Sequence, residues 1–454
     1  MAGPARTRAQ EPARPDLLLF MVDDMGWRDP SFMGSGYHLT PHMDALAREG
    51  LVFTHAYAAA PNCAPSRGSV HTGTWTPEHG ILTVGSPARG REGTRRLLLP
   101  DSRTSLEEGC WTLAEALREA GYHTAHVGKW HISEDPTAFG FERNFAGGKW
   151  GHPPKGYRAP HGLPGTEDAP EGSWLTELEG QAAAEILGSE EDRPLFLSWT
   201  PYAVHTPIQA PEGEVEVFRE RLPDRGQGNP RYAGMLASLD RQLGRALAAH
   251  RRLRGGRPLV TILTSDNGGL APITSMEPLS GWKGMLREGG IRVPLVLHGG
   301  PFALEGESCS EPAHHVDLAP TLLALAGASL PAGLRGRDLA QRGRPDERPL
   351  FWHFPCYLEG RGHAGDPWRA RPGGALRLGR WKLLEDFESG RLQLFDLQQD
   401  PGEERDLAAA EPETVEDLHE RLVAWRASVG APMPSGPDPG FVADPEPRAR
   451  SGAR

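Results

Sequence analysis

The chain contains several short, mostly apolar runs, and polar residues directly follow them. Such runs are typical of parallel strands buried on both faces of a sheet. Segments with helix signals separate them, such as the capping box at Thr112–Glu115 and an apolar stripe at helical spacing in residues 232–253. Because strands that alternate with helices build a parallel sheet covered by helices, we predict an α/β fold with a large central, mostly parallel sheet flanked by helices. The predicted strands are residues 17–22, 122–127, 195–199, 259–263 and 293–297.

From about Arg348 the pattern changes to short strands separated by turns, followed by an amphipathic helix over residues 411–429. This pattern predicts a smaller C-terminal subdomain with an antiparallel sheet and a helix. The tail is rich in proline, glycine and charge, which predicts disorder. The expected organisation is a flexible N-terminal arm (1–15), a catalytic α/β domain (16–345), the C-terminal subdomain (346–430) and a disordered tail (431–454).

The formal charge of the 454 residues is -11, and no basic block stands out. We therefore expect neither a nucleic acid nor a membrane as a partner. No run approaches the roughly 20 apolar residues of a membrane span. The first fifteen residues lack the apolar stretch of a secretory signal, so the sequence as written predicts a cytoplasmic protein, or a periplasmic or secreted one if a leader was removed. Four dispersed cysteines are too few for a disulfide framework and do not decide the compartment.

Charged and polar side chains gather at the ends of the predicted strands. They are Asp23 and Asp24, Lys129 and His131, His205, and Asp266 and Asn267. Taken separately, the aspartate pair also fits a solvated acidic turn, and the lysine and histidine fit an ordinary strand end. Because the carboxyl ends of parallel strands line the ligand crevice of such a fold, the polar residues at these four strand ends predict one shared site.

The carboxylate and amide groups of Asp23, Asp24, Asp266 and Asn267 offer only oxygen ligands. Oxygen ligands suit a hard cation and argue against zinc. We therefore predict bound Ca²⁺, which accepts high coordination numbers, or Mg²⁺.

Cys63 lies in the stretch Pro61–Ser69, where Pro65 suits the first turn of a helix that carries Arg67. An arginine and a helix N-terminus both favour the anionic form of a nearby cysteine, so Cys63 is a candidate nucleophile. Donors for a tetrahedral oxyanion are Arg67, Lys129, His131, His205 and Lys283. Metal and fixed donors together can stabilise charge on transferring oxygens, so the site suits cleavage of sulfate or phosphate esters.

The Cys-x-Pro-Ser-Arg stretch at Cys63 resembles the signature of the type I sulfatases, and the resemblance extends over residues 16–430. The chain is similar to a type I sulfatase of the alkaline-phosphatase superfamily, whose cysteine is oxidised to formylglycine after translation. The resemblance implies that Asp23, Asp24, Asp266 and Asn267 bind the metal together with formylglycine made from Cys63. It also implies that Arg67 and His131 hold the formylglycine hydrate, and that Lys129, His205 and Lys283 bind the sulfate and assist the leaving oxygen.

In this family one hydroxyl of the hydrate attacks sulfur, the alcohol leaves, and the other hydroxyl expels sulfate as the aldehyde reforms. The resemblance therefore implies a formylglycine-generating enzyme as a maturation partner. A thiolate is a poor ligand for a hard cation, and conversion of Cys63 to an aldehyde hydrate replaces sulfur with oxygen.

The segment Phe351–Tyr357 resembles one found in sulfatases that act on polysaccharides, and its aromatic and histidine side chains suit stacking on a sugar ring. We therefore expect a carbohydrate sulfate ester as substrate, with His353, Tyr357 and His152 as contacts. Packing at the subdomain interface is the alternative role for His353 and Tyr357.

Three other functions are alternatives to a carbohydrate sulfatase. A formylglycine-dependent phosphonate monoester or phosphodiester hydrolase shares the metal and the nucleophile. An inactive metal-binding scaffold of the same fold would keep Cys63 unmodified. A simple cysteine hydrolase would not need the metal cluster.

Overall fold

The computed structural model describes residues 14–91, 93–343, 348–360, 362–363, 366 and 368–442. The strands are β1 (Asp16–Val22), β2 (Leu51–Tyr57), β3 (Leu97–Leu98), β4 (His123–Gly128), β5 (Arg143–Phe145), β6 (Leu195–Thr200), β7 (Leu259–Ser265), β8 (Arg292–His298), β9 (Glu307–Cys309), β10 (Ala313–His314), β11 (Leu350–Phe354), β12 (Leu358–Glu359), β13 (Trp368–Ala370), β14 (Gly373–Leu378), β15 (Trp381–Asp386), β16 (Leu392–Asp396) and β17 (Gly436–Pro437). The α-helices are α1 (Pro41–Arg48), α2 (Cys63–Thr72), α3 (Thr76–His79), α4 (Leu113–Glu119), α5 (Leu175–Leu187), α6 (Glu212–Arg219), α7 (Pro230–Leu253), α8 (Glu288–Ile291), α9 (Leu318–Ala326) and α10 (Pro412–Ser428).

The central sheet has the strand order β10-β2-β8-β7-β1-β6-β4-β5, and β9 also pairs with β2. Strand β1 runs parallel to β6 and β7, and β4 runs parallel to β5 and β6. Only β8 breaks the pattern among these strands, because it is antiparallel to both β7 and β2. The predicted fold class, a large and mostly parallel sheet, is confirmed.

Strand β1 shows why the apolar runs require this architecture. All seven of its residues are buried. Leu18, Phe20 and Val22 belong to one core cluster, which includes residues of α1, α5 and α7. The alternating residues Leu17, Leu19 and Met21 belong to a second cluster, which includes residues of α2, α4 and α9. A strand that buries both faces needs helices on both faces, as the continuous apolar run predicts.

The orientation of the strands brings several loops to one edge of the sheet. Strands β1, β2, β4, β6 and β7 share one direction, so their carboxyl ends lie at the same edge. Because β8 runs the other way, its amino end lies at this edge as well. The segments after the parallel strands and the segment before β8 can therefore contribute to one site.

The C-terminal subdomain is an antiparallel sheet with the strand order β11-β14-β15-β16. Leu376, Leu383 and Leu394 on its strands share a core with Leu418 and Leu422 on α10. The short strands and the helix predicted in this region are confirmed. The subdomain is fixed to the catalytic domain by a hydrogen bond of 2.8 Å from Trp352 Nε1 to the carbonyl of Ala58 and by a buried ion pair of 2.9 Å between Lys382 Nζ and Glu288 Oε1.

The predicted N-terminal arm lies outside the described residues, apart from residues 14 and 15. Of the predicted disordered tail, residues 443–454 also lie outside them, whereas β17 pairs with β3. Within the part of the chain that the structure describes, no helix has the length and apolar character required to cross a bilayer.

Candidate active site

Cys63 is the first residue of α2 and lies at the centre of the site. The preceding Asn62 is extended (φ -146°), so the helix begins abruptly after the loop that leaves β2. Ser66 Oγ secures this loop through hydrogen bonds of 3.0 Å with both the amide and the carbonyl of Ala60. The Cys63 side chain is buried, with 2% of the residue exposed. The helix start thus presents Cys63 to the crevice in a fixed position.

Two sets of possible ligand atoms surround the sulfur of Cys63. Atoms of Asp23, Cys63 and Asp266 lie within 4.8 Å of one another, and so do atoms of Asp24, Cys63 and His205. The sequence prediction that strand ends converge on Cys63 therefore agrees with the structure. The side chains reach this point from the ends of β1, β6 and β7.

The thiol of Cys63 does not have the reactive character that its helix position suggests. Burial raises its pKa, and the lowering influence of Lys129 and Lys283 does not compensate. Arg67, expected to favour the thiolate, directs Nε and Nη2 to Asp266 Oδ2 at 3.0 and 2.9 Å. The expectation of a stabilised thiolate is therefore wrong, because burial dominates and the guanidinium is already engaged by a carboxylate.

Three buried carboxylates are matched by three buried cations. Lys129 Nζ lies 2.7 Å from Asp23 Oδ2, and Lys283 Nζ lies 2.7 Å from Asp24 Oδ1. Arg67 completes the set through Asp266 and also lies 3.7 Å from Asp23 Oδ1. Buried charges are tolerated when they are paired in this way.

The pKa values of the carboxyl groups differ because their neighbours differ. Burial raises the pKa of Asp266, but Arg67 and Lys129 outweigh it, so the pKa is lowered. Burial likewise opposes Lys283 and His205 at Asp24, where the net pKa is also lowered. At Asp23, burial and repulsion from Asp266 and Asp24 prevail over Lys129, and the pKa is raised. Burial is the main cause of the raised pKa of Asp23, and a cation bound beside this carboxyl group would favour its charged form.

The donor atoms of the site fit a hard divalent cation. Asp23 Oδ1 and Asn267 Oδ1 are buried and have no hydrogen-bond partner within the described residues. The amide nitrogen of Asn267 donates to Asp24 Oδ1 at 2.8 Å and to the carbonyl of Gly268 at 2.9 Å, which leaves the amide oxygen free to bind a cation. Buried oxygens without partners are costly unless a ligand satisfies them. Asp23, Asp24, Asp266 and Asn267 could therefore hold Ca²⁺ or Mg²⁺ beside residue 63.

The backbone is strained at two positions of the site. Asp24 has φ +59° and His131 has φ +65°, both in the left-handed region that residues with a side chain seldom adopt. The amide of Asp24 donates to Asp266 Oδ1 at 3.1 Å, so the strained conformation links the ends of β1 and β7. Strain of this kind concentrates at functional sites. The sequence gives no signal for it.

Hydrogen bonds from two other residues fix the backbone of Lys129. Its carbonyl accepts hydrogen bonds from Arg67 Nη1 at 2.5 Å and from Thr200 Oγ1 at 2.6 Å. The preceding Gly128 has φ +94°, and a Cβ atom there would lie 2.3 Å from the carbonyl oxygen of Thr200. A glycine is therefore required for the close approach of β4 and β6 at this point.

The two histidines of the site are neutral. Burial, with repulsion from nearby cations, lowers the pKa of His131 well below its usual range and that of His205 to about 3. His205 Nδ1 lies 2.8 Å from the carbonyl of Thr206, so in the neutral ring Nδ1 carries the proton. His205 Nε2 then faces the crevice, 3.6 Å from Asp24 Oδ2.

The three predicted substrate contacts are placed differently. His152 is exposed and stacks on His205, with ring centroids 6.4 Å apart and planes within 11°, so it lies at the mouth of the site. His353 is 2% exposed, and its Nε2 hydrogen-bonds the carbonyl of Pro432 at 2.9 Å. Tyr357 is also buried; its hydroxyl donates to Glu388 and accepts from the amide of Arg96. Substrate contact by these three residues stays a prediction.

Glu179 and Tyr157 support the site, and the sequence pattern did not predict either of them. Glu179 on α5 is buried below β4, where it accepts a hydrogen bond of 3.3 Å from the amide of Tyr202. The Tyr157 hydroxyl lies 2.9 Å from the carbonyl of His205 and helps to fix that histidine. Both act through long-range packing, which no local pattern records.

Comparison with known proteins adds an independent line of evidence. The family model described as Sulfatase matches residues 15–328, and the model described as N-sulphoglucosamine sulphohydrolase, C-terminal, matches residues 281–428. A sulfatase of Formosa agariphila is 27% identical, and the match covers 94% of this chain and 91% of that protein. Human N-acetylgalactosamine-6-sulfatase is 28% identical over 75% of this chain and 69% of its own length. The solved structure of Ps i-CgsB in complex with k-i-k-neocarrahexaose has a TM-score of 0.74 and 26% identity, and covers 91% of this chain and 92% of that chain.

Proposed function

The chain belongs to the sulfatase family and is a sulfuric ester hydrolase, and from this we propose that it cleaves a carbohydrate sulfate ester with a formylglycine made from Cys63 and a bound Ca²⁺. The products are the free alcohol and inorganic sulfate, with one water consumed. One observation carries the proposal: three buried carboxylates, balanced by Arg67, Lys129 and Lys283, meet at a buried cysteine.

The chemistry of residue 63 supports the modified form. Because burial raises its pKa, the thiol is protonated near neutrality and is a weak nucleophile. It also sits among oxygen ligands that suit a hard cation rather than sulfur. Formylglycine would supply the attacking oxygen as its hydrate, and Ca²⁺ would offset the negative charge gathered there. A formylglycine-generating enzyme is the maturation partner that this proposal requires.

The chain's own residues bind and orient the sulfate group. Lys129 and Lys283 lie on opposite carboxylates of the cluster, Asp23 and Asp24, so a sulfate beside residue 63 would meet a cation on either side. Burial lowers the pKa of Lys283, but Asp24 and the other nearby acids outweigh it and raise the pKa. Lys283 therefore remains charged through the physiological range and stabilises the developing negative charge.

Neutral His205 and His131 complete the environment. His205 Nε2 has a lone pair toward the crevice, so it can accept a hydrogen bond there, and it would first have to take up a proton in order to protonate the departing alkoxide. Its exposed neighbour His152 lies where the alcohol part of the substrate enters. We assign the leaving group to this open side of the site.

A saccharide is the leaving group that the comparisons favour. Human N-acetylgalactosamine-6-sulfatase and the saccharide complex of Ps i-CgsB are both similar to this chain over most of its length. The family description matched by residues 281–428 also names an amino-sugar sulfohydrolase. These relatives support a sulfated carbohydrate as the substrate class.

The test is sulfate release by protein produced together with a formylglycine-generating enzyme. The panel contains sulfated mono- and oligosaccharides, an aryl sulfate, an aryl phosphonate monoester and a phosphodiester. We expect release from at least one saccharide, abolished in Cys63→Ala and retained in Cys110→Ala, which removes a half-buried thiol elsewhere. Faster turnover of the phosphonate or phosphodiester than of every sulfate ester would instead identify the alternative hydrolase.

A further inference from the structure

A cleft of about 780 Å³ lies between the catalytic domain and the C-terminal subdomain. Its walls include residues 277–280 and 284–287 on one side and β13 with its neighbours on the other. The cleft reaches Gly284, the residue directly after Lys283. The cleft therefore reaches the segment that carries Lys283.

Four arginines line this cleft: Arg287, Arg369, Arg371 and Arg391. Three of them donate to a carbonyl or carboxylate oxygen of the protein at 3.0 to 3.2 Å. Arg369 differs, because its guanidinium group has no hydrogen bond or ion pair among the described residues. A partly buried guanidinium without a partner is costly, so such a group is expected where an anionic ligand binds.

Arg369 lies against the segment that carries Lys283. A Cβ atom at Gly284 would meet Arg369 Cδ at 2.8 Å, so the arginine side chain crosses directly over this glycine. Burial and repulsion from Arg89 lower the pKa of Arg369, whereas Glu359 and the active-site carboxylate of Asp24 raise it. The influence of Asp24 places the guanidinium within electrostatic reach of the sulfate site.

Glu359, the acidic residue near Arg369, already forms an ion pair with another arginine. Glu359 Oε1 pairs with Arg89 Nη2 at 2.9 Å, so its negative charge is shared between Arg89 and Arg369. The guanidinium groups of Arg89 and Arg369 thus have one carboxylate between them. The local charge favours a ligand with negative charge beyond the scissile sulfate.

We propose that Arg369 is a specificity-determining residue that binds a second anionic group, a carboxylate or a second sulfate, on the leaving group of the substrate. This inference rests on the proposed function. It narrows the substrate class to sulfate esters of polyanionic saccharides.

Steady-state kinetics on matched substrates tests the assignment. One pair is a monosulfated saccharide and its counterpart with an additional sulfate or carboxylate; the other pair is an aryl sulfate with and without a ring carboxylate. The variants are Arg369→Gln, Arg369→Lys to restore the charge, and Arg391→Gln as a matched loss of an arginine from the same cleft. Arg391 suits this purpose because its partner Asp406 lies in an exposed pair.

We expect Arg369→Gln to lower kcat/KM for the doubly anionic substrates by about 10- to 100-fold, mainly through KM, as for the loss of a hydrogen bond between charged groups. The singly charged substrates should be unaffected, Arg369→Lys should recover part of the loss, and Arg391→Gln should behave as wild type. An equal loss on both members of a pair, or no loss on either, would overturn the assignment. If wild type turns over aryl sulfates and no saccharide, the carbohydrate proposal fails, and the aryl pair alone decides the role of Arg369.

Discussion

The buried ammonium group of Lys382 provides a direct test of how the C-terminal subdomain supports the active site. Its Nζ lies 2.9 Å from Glu288 Oε1 and 2.8 Å from Glu403 Oε1, and all three side chains are buried. Glu403 Oε2 accepts hydrogen bonds from Ser280 Oγ at 2.6 Å and from the amide of Glu288 at 2.8 Å. These contacts fix the chain on both sides of Lys283. The perturbation is Lys382→Met, which retains the length of the side chain and removes its charge.

The expected loss in the free energy of unfolding follows from Glu288 and Glu403, the two buried carboxylates that would remain. Burial alone would raise the pKa of Glu288, but Lys382, Arg292 and Arg377 hold it at about 2. Removal of one partner from a buried ion pair costs about 3–5 kcal/mol in the free energy of unfolding. Arg292 remains 3.6 Å from Glu288 Oε2, so we expect the lower end of the range. A loss of about 3 kcal/mol corresponds to a change of about 150-fold in the unfolding equilibrium constant.

Equilibrium unfolding in urea, followed by tryptophan fluorescence, measures this loss. The matched control is Lys149→Met, which removes a lysine from an exposed pair with Glu134 (58% and 75% exposed). An exposed pair contributes about 0–1 kcal/mol, so the control should remain close to wild type. Lys382→Met should also slow sulfate release, because the segment that carries Lys283 loses its anchor. If Lys382→Met costs no more than Lys149→Met, the ion pair does not fix the subdomain.

Three further predictions concern the surroundings of Cys63. Burial raises the pKa of Glu179 from 4.5 to about 8, so its contribution to stability is complete below the lower value and is lost as the pH rises through the higher one. The unfolding temperature of Glu179→Gln should therefore increase relative to wild type from about pH 5 to pH 8, and a constant difference would contradict this. Gly128→Ala should lose at least about 1–3 kcal/mol of stability and most of the activity. The control Gly390→Ala, also at positive φ but in open space, should keep its activity. Equal effects of the two substitutions would refute the contact with Thr200. Removal of Ca²⁺ with EGTA should lower the unfolding temperature of wild type, and Asn267→Leu should weaken this response to Ca²⁺; an unchanged response would exclude the amide as a ligand.

Much of the fold could be predicted because the apolar runs of its strands are local signals. Strand β1 buries both faces, and so its sequence is apolar without interruption. The same rule explains the polar residues at strand ends, since the loops after parallel strands open on one edge. Asp23, Asp266 and His205 were found in this way. Lys283 precedes the antiparallel strand β8, so the rule for the carboxyl ends of parallel strands does not include it.

The remaining features depend on partners far away in the sequence. The thiol of Cys63 was expected to be acidic because Arg67 lies one helical turn away, but Asp266 engages that guanidinium. The proposed role of Arg369 rests on its guanidinium group having no hydrogen bond or ion pair among the described residues, which only the folded chain reveals. His353 is predicted to contact the sugar, and its hydrogen bond to the carbonyl of Pro432 is a further feature that the sequence does not indicate. Such outcomes are set by tertiary packing and cannot be read from spacing.

The most direct measurement is the rate of sulfate release as a function of the fraction of Cys63 that is converted to formylglycine. Preparations with different fractions are obtained by varying the supply of the maturation enzyme, and peptide mass spectrometry measures the conversion. We expect the rate to be proportional to this fraction and to vanish for fully unconverted protein. A rate that is independent of the fraction would contradict the proposed role of Cys63.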